Sequence, residues 1–144
     1  MAKLSPELLD LYRKTVIEVY LKDGTFMASA DPSVESLVLP PPLQPYFWVI
    51  TPCNPESKRL SSAENQARFQ SFWSEAQARS ERPGGVSCFR AVGRSTEGAW
   101  REQSVAFVGL DQDAAVALAI SHEQNALFWV GETGARIVSA LKAV

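Results

Sequence analysis

The sequence predicts an α+β fold, a two-layer sandwich with a ferredoxin-like βαββαβ core and an added N-terminal helix and hairpin. Three observations lead to it. Residues 47–53 are continuously apolar apart from Thr51, as expected of a strand covered on both faces. After a Pro52-Cys53-Asn54-Pro55 bend, apolar residues recur at helical spacing through Phe69, Phe72, Trp73 and Ala76. From residue 86 the chain then reads strand, strand, helix, strand. Together these give the order of a split β-α-β unit, with two helices on one face of an antiparallel sheet.

The 144 residues form one expected domain, 1–144, long enough for a real core. Hydrophobic content of 46% and charged content of 21% match ordinary globular chains, so wholesale disorder is not expected. The net charge of −2 gives no overall basic field, which argues against non-specific nucleic-acid binding. Residues 1–7 lack the apolar core of a signal peptide, and no stretch approaches the roughly 18 apolar residues of a membrane span. A cytoplasmic protein is expected. Cys53 and Cys88 read as free thiols, Cys53 as a buried one. They and His122, the single histidine, lack metal-ligand spacing, so no metal is expected. No cofactor is expected either, because no dinucleotide or P-loop glycine pattern occurs.

In chain order, Ser5 is the N-cap of a short helix to Arg13, with Pro6 at its first position and Leu8, Leu9, Leu11 and Tyr12 giving it an apolar side. Residues 15–21 are β-branched and aromatic and read as a strand. The Lys22-Asp23-Gly24-Thr25 turn leads into a short return strand at 26–28. Residues 29–46, with Pro32, Pro40-Pro41-Pro42 and Pro45, form neither helix nor central strand. They read as an extended arm crossing the surface.

The helix after the bend begins at a capping box, Ser61-x-x-Glu64, and Asn65 lies on its apolar stripe, pointing towards the mouth of the preceding strand. Residues 86–94 and 100–109 form a hairpin around Ser95-Thr96-Glu97-Gly98. Period-2 geometry puts Trp100, Glu102, Ser104, Ala106 and Val108 on one face, expected under the helix layer with Glu102 at the rim. Asp111 caps a helix over 112–122 with a stripe of small residues. Residues 126–130 form another interior strand, and 135–141 read as a strand or a terminal helix.

Most of the polar candidates carry a structural and a functional reading. Asn54 either caps its own turn or contacts a ligand. Asn65, a carboxamide on an apolar stripe, needs partners from the strand end or from a ligand. Arg68 pairs with Glu64 one turn away, bridges to Glu102, or binds an anion. Glu102 and Ser104 share a face with Trp100, so a covered Glu102 needs a partner, with Arg68 the natural one. Glu64 is accounted for by the capping box, with catalysis the minor alternative. His122, at a helix C-terminus, reads as a dipole-complementing or core residue. Ser104 lacks a nucleophile elbow and is not read as a nucleophile.

Thr51-x-x-Asn54-Pro55, Ser62-x-Glu64-Asn65-x-x-Arg68, Gly98-x-Trp100-x-Glu102-x-Ser104, Gly109 and Gln124-Asn125-Ala126 together resemble a bacterial family of small proteins, domain-of-unknown-function family 3293. The resemblance spans roughly residues 12–138. It implies positions to watch and no chemistry. The expected function is a pocket for a small polar or anionic ligand, formed by Asn54, Asn65, Arg68, Trp100, Glu102, Ser104 and Gln124. The alternative is a protein-interaction module, using the sheet face or the proline-rich arm, in which this polar cluster is purely structural. Whether the protein is an enzyme stays open. Nucleic acid is not the expected partner, since the aromatic strands carry few basic residues.

Overall fold

The computed structural model describes residues 4–98 and 100–141; the first three residues of the N-terminal segment lie outside these. Helix α1 (Pro6–Arg13) starts where Ser5 Oγ accepts from the Leu8 N–H, and it is followed by β1 (Thr15–Leu21) and β2 (Gly24–Ser29). The arm leads to β3 (Tyr46–Ile50), and the bend to α2 (Ser62–Ser80). Then come β4 (Ser87–Ser95), β5 (Arg101–Val108), α3 (Gln112–Ser121), β6 (Ala126–Gly131) and β7 (Gly134–Ser139). The protein is α+β.

The seven strands form one sheet in the order β2-β1-β4-β5-β3-β6-β7, and every pairing is antiparallel. The sheet curls into a half-barrel that brings its edge strands, β2 and β7, towards each other. The two-layer sandwich expected from the sequence lacks this curl. The predicted N-terminal hairpin is no appendage, because β1 pairs with β4 and extends the sheet. The ambiguous segment at 135–141 is strand β7, paired with β6 from Ala126–Ser139 to Gly131–Gly134.

Both faces of the central strands are buried, for different reasons. On the outer face, Trp48, Ile50, Val105, Phe107 and Leu127 pack against Phe69, Phe72 and Ala76 of α2 and Ala115, Leu118 and Ala119 of α3. The small residues of α3 let it approach the sheet, and Phe72 meets Phe107 edge-on with centroids 5.8 Å apart. On the inner face, Ile17, Val19, Phe47, Val49, Ala106 and Val130 pack with Ala30, Leu39 and Leu43.

Two expectations change here. The proline-rich arm does not simply cross the surface: Leu39 is 2% exposed and Leu43 0%, so the arm closes the inner core. Burying such a leucine contributes about 1.5–3 kcal/mol, more than a passive strap would supply. The arm is also tied to the β6–β7 turn, where the Leu37 N–H donates to Glu132 O at 2.9 Å. Second, the face of β5 bearing Glu102, Ser104 and Ala106 does not lie under the helices. Alternation puts Val105 and Phe107 there, so Ala106 and Val108 join the inner cluster.

Candidate functional site

The site begins where β3 ends. Asn54 sits in the left-handed region (φ 48°, ψ 62°), which asparagine tolerates better than most residues. Glu56 and Ser57 follow with φ of 55° and 62°, a conformation that costs of order 1–3 kcal/mol at such residues. Neighbouring bonds hold the loop there. The Glu56 N–H donates to Glu123 O at 2.6 Å, and Glu123 itself has φ 60°. Asn54 Oδ1 accepts from the Leu60 N–H at 2.9 Å, closing the loop on itself.

The capping box fixes α2 relative to this loop. Ser61 Oγ accepts from the Glu64 N–H at 3.1 Å, and Glu64 Oε1 accepts from Ser61 Oγ at 2.9 Å. The Glu64 carboxylate is thus engaged at the helix start and is not among the residues lining the cavity inside the curl. One position further on, Asn65 reaches back to the loop. Its Oδ1 accepts from the Asn54 N–H and its Nδ2 donates to Asn54 Oδ1, both at 2.9 Å. Asn54 Nδ2 then donates to Glu102 Oε2 at 2.6 Å. A chain of polar groups therefore runs from the first turn of α2 through the loop to β5.

Arg68 takes no part in that chain. Its Nε donates to Pro52 O at 2.6 Å and its guanidinium to His122 O at 3.0 Å, with Glu123 Oε1 3.7 Å away. The expected Arg68–Glu102 bridge is absent, because both groups find partners on different segments. Arg68 instead clamps the β3–α2 loop to the end of α3. His122 caps that helix, lies 3.1 Å from Glu75 Oε2, and meets the Phe72 ring edge-on at 4.4 Å.

Inside the curl lies a cavity of about 300 Å³. Leu8, Leu11 and Tyr12 of α1 border it from one side, Val49, Ala126 and Phe128 from the sheet. Its polar lining comes from Thr51, Asn54 and Ser57, from Trp100, Glu102 and Ser104, and from Gln124, with Arg59 exposed among them. Helix α1 has no fully buried residue, and Leu11 is 43% exposed. It is held through Tyr12, which meets Phe128 edge-on at 6.0 Å and lies 3.4 Å from Ser57 Oγ.

The electrostatics of the cavity centre on Glu102. Burial pushes its carboxyl above the ordinary range, and the Asn54 amide only partly opposes this. Burial and the nearby Glu102 charge also raise the Tyr12 phenol. Cys53 is a buried free thiol whose pKa burial raises, so it is a poor nucleophile. Ser104 Oγ, 2% exposed as a residue, donates to Glu102 O at 3.2 Å. Gln124 Nε2 donates to Cys53 O at 3.1 Å and His122 O at 3.2 Å, tying the strand end to α3. The Trp100 Nε1–H is buried without a hydrogen-bond partner among the described residues. An orphaned donor of this kind is uncommon in folded proteins.

Of the seven positions expected to form a pocket, Asn54, Trp100, Glu102, Ser104 and Gln124 border the cavity. Asn65 and Arg68 stand behind it. The cavity is also bordered by Thr51, which the family motif includes, and by Tyr12, Ser57, Arg59 and Phe128, which the expected pocket leaves out. Thr51 Oγ1 donates to Gln103 O at 2.8 Å, which fixes the strand end. The signal for Tyr12 was the apolar side of the first helix, which needs a surface to rest on.

No helix among the described residues is long and apolar enough to cross a membrane. Neither the curated proteins nor the solved structures contain a match to this chain. Residues 50–127, which carry every expected pocket position but neither α1 nor the arm, match the model of one family. The chain belongs to that family, described as Protein of unknown function (DUF3293).

Proposed function

We propose that the cavity beneath α1 binds a small polar ligand, with Asn54, Trp100, Glu102, Ser104 and Gln124 in contact with it. Asn65 and Arg68 position the loop from behind. The observation that carries this reading is the gathering of polar side chains from three separate segments around one space of about 300 Å³. That volume is at the small end of ordinary ligand cavities. The strained loop at 54–57 supports it, since such backbone is retained where the surroundings over-determine it, often at binding sites. Between a polar and an anionic ligand, the Glu102 carboxyl in the wall favours the former.

The strand order β4-β5-β3-β6, with α2 and α3 on one face, supports reading the centre of the fold as a ferredoxin-like βαββαβ unit, extended at both edges. A cytosolic setting belongs to the same reading. The interaction-module alternative draws less support, because Leu39 and Leu43 commit the arm to the core.

Thermal-shift screening of a metabolite library tests the proposal, with Ala126→Phe as the control that fills the cavity. Compounds that stabilise the wild type and not a folded Ala126→Phe variant are expected. A library that shifts neither protein, or both equally, would remove the pocket reading.

A further inference from the structure

We propose that the ligand of this cavity carries an ammonium group on an apolar body, with the ammonium against Glu102. The inference rests on the cavity being a binding site and adds the chemical class.

Among the described residues Glu102 accepts one side-chain hydrogen bond, from Asn54 Nδ2, whereas a carboxylate has about four acceptor positions. None of the ion pairs among the described residues includes it. The cavity therefore contains an acid with spare acceptor capacity that no cation of the described residues pairs. Three aromatic residues from separate segments, Tyr12, Trp100 and Phe128, line the same cavity. Aromatic faces attract organic cations, and several around one carboxylate form a familiar setting for an ammonium group. Leu8, Leu11 and Val49 complete the wall and suit a hydrocarbon body.

A bare metal ion fits this place poorly. Hard cations take several oxygen ligands, usually more than one carboxylate, and Glu102 is the single acid bordering the cavity among the described residues. Arg59, the other charged residue there, is exposed and has no ion pair among the described residues. Solvent screens it, and the interior field is left to Glu102. Burial already holds the Glu102 carboxyl above its usual range, and an ammonium beside it would reverse that shift.

The test is an NMR titration of the ¹⁵N-labelled full chain with three compounds of one shape: phenethylamine, 2-phenylethanol and 3-phenylpropionate. Phenethylamine is expected to shift the Asn54 side-chain amide and the Trp100 indole signals, with a Kd at least tenfold below those of the other two. Glu102→Gln is expected to remove that preference. If the alcohol or the acid binds the same site as well as the amine, the ammonium inference fails and the pocket stands. A folded Glu102→Gln variant that keeps the preference would overturn the ammonium inference in the same way. The wild-type series decides the matter even if the variant does not fold. If none of the three perturbs the site, the ammonium inference also fails. The pocket reading falls with it only if the library screen is negative too.

Discussion

Asn65 holds Asn54 by two hydrogen bonds at once, accepting from its backbone N–H and donating to its side-chain oxygen, each at 2.9 Å. The pair joins the first turn of α2 to a loop residue in the left-handed conformation. Replacing Asn65 by alanine leaves a half-buried N–H and an amide oxygen short of partners. Each such loss costs about 1 kcal/mol, so Asn65→Ala should lower stability by about 2 kcal/mol. Urea unfolding measures this. An unchanged midpoint would mean that the two bonds contribute nothing net.

Arg68 is expected to behave as a clamp. Its two donors reach Pro52 O and His122 O, carbonyls on different segments, and a lysine ammonium cannot reproduce that fork. Arg68→Lys and Arg68→Ala should therefore lower the melting temperature to a similar degree, each by about 1–3 kcal/mol of stability. Ligand affinity at the cavity should change less than stability. A lysine variant as stable as wild type would contradict the clamp.

Glu102 gives stability a definite pH dependence. Its folded-state pKa is raised, so in the window between its unfolded and folded values the native state binds more protons than the unfolded chain. Stability from this group is thus greatest at acid pH, falls as pH rises through that window, and is level above it. Glu102→Gln keeps an oxygen for Asn54 Nδ2 and removes the charge. The variant is expected to equal or exceed the wild type in melting temperature at pH 7, and to lack that part of the decline. A loss of stability at pH 7, with no change in the pH profile, would show that the charge is better accommodated than its burial implies.

Gly134 tests how the arm is seated. Its φ is 109°, and a Cβ there would lie 2.4 Å from Val34 O, on the arm. Gly134→Ala must therefore strain the β6–β7 turn and push the arm away. Backbone strain of this kind costs about 1–3 kcal/mol before any loss of packing. Thermal unfolding is the measurement. A variant within experimental error of wild type would mean that the arm shifts freely.

Much of the fold was legible because local signals agreed with the tertiary result. Ser5, Ser61 and Asp111 each cap the helix they were expected to begin. The apolar run at 47–53 yields β3, buried on both faces. The curl was not legible, because it arises from contact between distant edges and not from any local pattern. Its consequence at β5 was the reversed face of Glu102 and Ser104, since period-2 alternation identifies two faces without saying which one the helices cover. The buried leucines of the arm were hidden for a related reason: prolines announce what a segment cannot form, and say little about what it covers. At the site, Asn54 was legible as a bend residue, Glu102 as an acid sharing a face with Trp100, and Gln124 through the family motif. The main-chain carbonyls that Arg68 bonds, Pro52 O and His122 O, leave no mark in a sequence.

Helix α1 borders the cavity without burying any residue completely. Its anchorage is Tyr12, so detaching it sacrifices far less contact than separating any two strands of the sheet. Segments of this sort open at a small fraction of the global unfolding free energy. Amide exchange should accordingly be fast along α1 while β3 and β5 remain protected, and the width of the cavity mouth would then follow the motion of one short helix.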